Sequence, residues 1–106
     1  MAYGIEFTPL AVSNLKAIRA YERRRIVDEI DRQLHLQPGV ETRNRKRLDG
    51  LLPEFEHQPP VWELRVGDYR VFYDVDDSAS IVYIRTVRRK KRGRQTEDIT
   101  HGTSDH

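Results

Sequence analysis

Residues 61–94 constrain the fold more than any other part of the chain. They read VWELRVGDYRVFYDVDDSASIVYIRTVRRKKRGR. Trp62, Leu64 and Val66 alternate with Glu63 and Arg65, and Gly67-Asp68 supplies a tight turn. Tyr69, Val71, Tyr73 and Val75 then alternate with Arg70, Phe72 and Asp74. A second turn over 76–80 leads to a third apolar stretch over 81–87. A period of two, punctuated by turn residues, predicts three antiparallel strands. The last of them enters a cationic block in which seven of the ten residues 85–94 are Lys or Arg. A sheet that ends in fixed guanidinium groups is a surface for a polyanion, most simply RNA. The alternative for such a charge run is a solvated tail.

The first half of the chain reads differently. Tyr3, Ile5 and Phe7 alternate as a short strand. Thr8-Pro9 is a helix start, because Thr caps exposed N–H groups and Pro suits the first helical position. Val12, Leu15 and Ile18 recur at helical spacing and predict about three turns. A break is expected at 23–25. A second helical stripe follows in Ile26, Val27, Ile30 and Leu34, stopped by Pro38-Gly39. Two amphipathic helices with a short link predict a helical hairpin. Residues 40–60 carry three prolines and read as a polar connection with a short turn over 48–52. Its basic cluster Arg43, Arg45, Lys46 and Arg47 is either a solvated loop or a second phosphate contact.

The chain has 106 residues, enough for one domain with a modest core. That domain is expected over 1–92, with a polar, disordered tail over 93–106. There is no apolar run of bilayer length and no signal-peptide pattern, so no membrane association is expected. Zero cysteines exclude disulfides and thiolate chemistry and fit a reducing, cytoplasmic setting. The net charge of +2 is unevenly spread. Residues 1–42 carry six basic and six acidic side chains, 43–94 carry thirteen against eight, and 95–106 carry only three acids.

Sorting the strands by period two places Trp62, Leu64, Val66, Val71, Tyr73, Val75, Val82 and Ile84 on a core face under the helices. The opposite face collects Glu63, Arg65, Arg70, Asp74, Tyr83, Arg85 and, if the strand continues, Arg89. Arg65, Arg70 and Arg85 would then point the same way from three strands. The competing reading is a solvated face with cross-strand pairs such as Glu63–Arg70. The fold class expected is α+β, a helical hairpin packed on one face of a small antiparallel β-sheet.

Over residues 3–92 the order of strand, helical hairpin, basic connection, ELRVGDYRVFYDVD and a final strand ending in basic residues resembles the RelE/ParE toxins of bacterial toxin–antitoxin pairs. Residues 62–73 are the most specific part, and Leu48-Asp49-Gly50-Leu51 also looks like the family's connection. The resemblance implies one of two activities. RelE-like members cut mRNA in the ribosomal A site, whereas ParE-like members inhibit DNA gyrase without cleaving anything. Both are neutralised by an antitoxin with an extended wrapping segment. The leading expectation is a ribosome-dependent mRNA endoribonuclease that inhibits translation. The alternatives are a non-enzymatic gyrase inhibitor, or an RNA-binding protein of the toxin fold with reduced activity. The expected partners are a cognate antitoxin, the ribosome and mRNA.

Carried over residue by residue, the nuclease pattern nominates Arg70, Arg85, Arg89 and Lys90 as catalytic. Arg65, Arg88, Lys91 and Arg47 would bind substrate. Guanidinium groups give bidentate hydrogen bonds to phosphate and stay charged, so they suit phosphorane stabilisation and not proton transfer. Lys90 or Lys91 could donate a proton if crowded by neighbouring cations, since like charges lower a lysine pKa. Glu63 is either a base or a partner that orders Arg65 or Arg70. The chain departs from the nuclease pattern at two places. Residues 94–97 read Arg-Gln-Thr-Glu where those enzymes often carry a Tyr or His, and Asp49 stands where many members have arginine. With no HExxH or spaced Cys/His set, and no Gly-rich phosphate loop, neither a metal nor a cofactor is expected.

Overall fold

The computed structural model describes residues 2–50 and 53–90. The expected tail over 93–106 lies outside the described residues, as do the nominated Lys91, and Leu51 and Leu52 of the expected turn. The elements run β1 (Gly4–Phe7), α1 (Pro9–Lys16), α2 (Ala20–Leu34), β2 (Arg45–Leu48), β3 (Val61–Val66), β4 (Tyr69–Asp76) and β5 (Ile81–Arg89). The five strands form one sheet in the order β1-β5-β4-β3-β2. β1 is parallel to β5 and every other pair is antiparallel. The α+β class is as expected, with two helices against a mostly antiparallel sheet. Among the described residues no helix is long and apolar enough to cross a membrane.

Local chemistry sets the helix boundaries. Thr8 caps α1, accepting from the Ala11 N–H at 3.3 Å, with Pro9 in the first turn. The Thr8 hydroxyl also donates toward the Ile84 and Arg85 carbonyls, each at 3.0 Å, which ties the helix start to β5. α1 is shorter than expected, and the link falls at 17–19 instead of 23–25. Three successive arginines read as a break, but arginine is a good helix former and its charge sits easily on an exposed helical surface. The stripe Ile26, Ile30 and Leu34 is buried as expected.

β2 is the element that the sequence reading missed. Four residues of type Arg-Lys-Arg-Leu carry no apolar alternation, yet they pair with β3 from Arg45↔Leu64 to Leu48↔Val61. Arg45 is buried because its Nη1 donates to the Gln33 carbonyl at 2.6 Å and the Gln37 carbonyl at 2.5 Å. Those carbonyls lie at and just beyond the end of α2, where a helix leaves its acceptors unsatisfied. A charged side chain thus does the work of a C-terminal cap and holds the edge strand in place.

The main core lies between the helices and the sheet, with Ala11, Leu15, Ile26, Ile30 and Leu34 against Trp62, Leu64, Val71, Tyr73, Val82 and Ile84. Trp62 stacks on Tyr73 at 6.2 Å between ring centroids, and the Tyr73 hydroxyl donates to the Pro38 carbonyl at 2.7 Å. A second, smaller cluster of Leu48, Phe55, Val61 and Phe72 sits on the other side of the sheet. The connection over 53–60 is therefore not a free loop. Phe55 anchors it over the face that the alternation pattern assigned to solvent.

Candidate functional site

A bulge in β5 rearranges the cationic residues. Phe72 pairs with Thr86 and Tyr73 pairs with Ile84, so Arg85 is the extra residue opposite them. Beyond it the facing of β5 is inverted relative to simple alternation. Val87 turns into the core, Arg88 comes opposite Arg70, and Arg89 comes opposite Tyr69. Arg89 was expected beside Arg70. It instead belongs to the helix side, where its guanidinium lies 5.9 Å from the Tyr69 ring centroid. Arg88, expected only as a substrate contact, takes the place beside Arg70. Asn14 of α1 steadies this edge where β1 has ended, accepting from the Val87 N–H at 3.0 Å and from the Thr86 hydroxyl at 2.6 Å.

Three arginines on the face away from the helices, Arg70, Arg85 and Arg88, are held by carboxylates. Arg70, expected exposed at mid-sheet, is only 6% exposed. Its Nη1 donates to the Gly67 and Tyr69 carbonyls, each at 2.9 Å, and its Nε lies 3.9 Å from the Glu63 carboxylate. Burial, only partly countered by Glu63, pulls the Arg70 pKa below the usual arginine value. Arg85 grips Asp74 through Nε at 2.7 Å and Nη2 at 3.2 Å, rests 5.0 Å from the Tyr83 ring centroid, and faces Glu56 at 3.9 Å. Arg88 pairs with Glu54 and stacks on Phe55 at 5.4 Å. Asp74 also accepts from the Gln58 N–H at 2.9 Å, so the same carboxylate fixes Arg85 and the overlying connection. Glu63 is thus a partner of Arg70, as one of its two expected roles had it.

This arrangement amounts to an acidic strap over a cationic sheet. Residues 53–60 bring Glu54 and Glu56 onto Arg88 and Arg85, and Phe55 supplies the apolar anchor. Sequence periodicity could not show this, because the acids and the cations are about thirty positions apart. Replacing Glu54 and Glu56 together by Gln should raise the salt concentration at which the chain elutes from heparin. The melting temperature should move by only a few degrees, since solvent-screened pairs contribute about 0–1 kcal/mol each. An unchanged elution position would show that the strap does not mask these arginines.

The remaining nominated residues are dispersed. Arg47 lies on the edge strand β2, with Nε 2.9 Å from Asp49. Arg65 is exposed and lies with Arg24, Arg25 and Gly67 in a cleft against α2. Lys90 is half-buried just after β5, its N–H donating to the Asp68 carbonyl at 2.7 Å. Arg89 lines a separate cleft with Arg19, Glu22 and Tyr69. There the Tyr69 hydroxyl donates to Glu22 at 2.5 Å, and that bond together with burial raises the tyrosine pKa. The seven nominated residues that are described therefore do not converge on one phosphate-sized point. Arg70, Arg85 and Arg88 share a face, Arg65 and Arg89 open on separate clefts, and Arg47 lies at the β2 edge.

A family model described as the ParE toxin of the type II toxin–antitoxin system parDE matches residues 5–93. Among curated proteins none matches the sequence. Solved structures resemble the chain in fold. One is the toxin–antitoxin complex RelBE2 from Mycobacterium tuberculosis, with TM-score 0.66 and 23% identity over 85% of this chain and 100% of that one. Another is the archaeal RelE–RelB complex from Pyrococcus horikoshii OT3, with TM-score 0.67 and 22% identity over 88% and 100%. A third is the isolated E. coli RelE toxin, with TM-score 0.67 and 21% identity over 88% and 89%.

Proposed function

Because this chain belongs to the RelE/ParE family of toxins from type II toxin–antitoxin systems, we propose that it arrests growth by binding its target and not by cutting RNA. The pairing of Arg70, Arg85 and Arg88 with Glu63, Asp74, Glu56 and Glu54 carries this reading. A phosphoryl-transfer site needs cations aimed at the charge that develops in the transition state. Here three of the nominated cations already neutralise carboxylates of the protein's own fold. Moving Arg85 or Arg70 onto a substrate would strand Asp74 or Glu63 deep in the sheet with one cation fewer, and burying a charge without adequate partners is costly. The matching ParE family model is consistent with a ParE-like action on DNA gyrase.

Ribosome-dependent mRNA cleavage is the second reading. It draws on Arg65, Arg89 and Lys90, which have no ion pair within 4.0 Å among the described residues. In that case the ribosome would supply much of the rate by positioning the mRNA. In either case we propose that an antitoxin neutralises the chain. Two of the similar structures are toxin–antitoxin complexes, and the basic surface would draw in a partner with acidic residues. Pulse labelling after induction separates the two activities. The binding reading expects thymidine incorporation to fall first while amino-acid incorporation continues. An early fall in amino-acid incorporation would overturn it.

A further inference from the structure

We propose that the strap over 53–60 is a built-in competitor, and that the surface beneath it docks an extended acidic segment of the protein that the toxin attacks. This rests on the reading of the chain as a toxin that binds its target, and it gives that target a place on the sheet.

Three observations carry it. The strap meets the sheet as a short peptide ligand would. Glu54, Phe55 and Glu56 put an acid on Arg88, a ring into the apolar floor of Phe72 and Val61, and an acid toward Arg85. Phe55 is the anchor, with its ring centroid 5.8 Å from that of Phe72 and 5.4 Å from the Arg88 guanidinium. Next, side chains do most of the holding. Three of the eight residues are proline, and among the described residues no backbone–backbone hydrogen bond joins 53–60 to the sheet. The shape of the strap is set from within, since His57 Nδ1 lies 2.9 Å from the Phe55 carbonyl oxygen and the two rings meet edge-on at 6.0 Å. A segment held in this way opens without breaking the ladder beneath it. Finally, what opening leaves behind selects the occupant. Arg88 loses Glu54, Phe72 loses its cover, and the buried Asp74 loses the Gln58 N–H that it accepts at 2.9 Å. A peptide restores all three with an acid, an aromatic ring and a backbone amide. A nucleic acid has no backbone N–H to offer Asp74, and its phosphates would repel that carboxylate. A cover that lowers affinity restrains what a toxin attacks, whereas against an inhibitor it would only weaken the restraint.

A labelled synthetic peptide copying residues 53–60, followed by fluorescence anisotropy against the full chain, tests this. The attached strap competes at an effective concentration on the order of millimolar, so the parent should bind the peptide weakly. Glu54→Gln with Glu56→Gln in the chain loosens the strap without leaving a cavity and should tighten peptide binding about tenfold. A peptide carrying Phe55→Ala should bind that chain roughly tenfold more weakly, as expected for a buried anchor. In cells the loosened chain should arrest growth at lower expression than the parent. The proposal is overturned if the loosened chain binds the peptide no better than the parent, if the Phe55→Ala peptide binds as well, or if an equal concentration of single-stranded oligonucleotide displaces the peptide. It is equally overturned if growth arrest needs the same expression and only neutralisation by an antitoxin changes. Pulse labelling reads the target separately. Thymidine incorporation that still falls first while the peptide results fail would overturn the role of the strap alone.

Discussion

Arg70→Ala should lower the melting temperature by about 12–20 °C, the effect of losing about 3 kcal/mol from a domain of this size. The side chain is almost fully buried, donates to two backbone carbonyls of the β3–β4 turn region, and faces a Glu63 that is itself only 6% exposed. Truncation removes both hydrogen bonds and leaves the Glu63 carboxylate in the sheet without that cation. Breaking a buried pair from one side costs far more than the pair contributes on balance, so replacing both members should be milder. The double variant Arg70→Met with Glu63→Leu is therefore expected to recover much of the loss. Thermal melts by circular dichroism decide the point. An Arg70→Ala protein that melts within two or three degrees of the parent would mean that Arg70 is a free functional cation after all. The sequence reading placed Arg70 on the open face of the sheet, and the burial of the side chain overturns that placement.

Asp74→Ala should be at least as damaging, by about 3–4 kcal/mol. Asp74 is 1% exposed and accepts from Arg85 twice and from the Gln58 N–H once. Among the described residues its loss leaves the half-buried Arg85 guanidinium with one carboxylate within 4.0 Å, that of the 92% exposed Glu56 at 3.9 Å. It also removes the backbone anchor of 53–60. The change should therefore have a local signature as well as a global one. Amide exchange at Gln58 and along the strap should accelerate more than exchange at Leu64 or Val71 in the main core. Uniform acceleration across the chain would show that the strap has no separate stability.

The sequence made the fold largely legible because its strongest signals are periodic. Alternation over β3 and β4, the Gly67-Asp68 turn, the Thr8-Pro9 start and the stripe from Ile26 to Leu34 each read correctly from local chemistry. β2 was illegible because an edge strand held by the Arg45 side chain needs no apolar pattern of its own. The site was less legible than the fold, for two physical reasons. A single bulge at Arg85 inverts everything after it, and nothing in the local composition marks a bulge. Charge counts along the chain also cannot reveal that Glu54 and Glu56 fold back on Arg88 and Arg85. The parity of Arg65, Arg70 and Arg85 was a sound observation, but most of what those strands present to that side is neutralised or covered. The apolar residues Phe55 and Phe72 were the available signal that this face is not all solvent, since two large aromatics need cover.

Binding without cutting is decided on mRNA held in ribosomes. Purified chain, freed from any antitoxin, is added to ribosomes stalled with a defined codon in the A site, and the mRNA is mapped by primer extension. The carboxylate-bound arginines predict that the message stays full length at toxin concentrations that arrest growth. A new end within the A-site codon, lost in a variant with Arg65, Arg89 and Lys90 replaced, would contradict the account and place the chemistry on those cations.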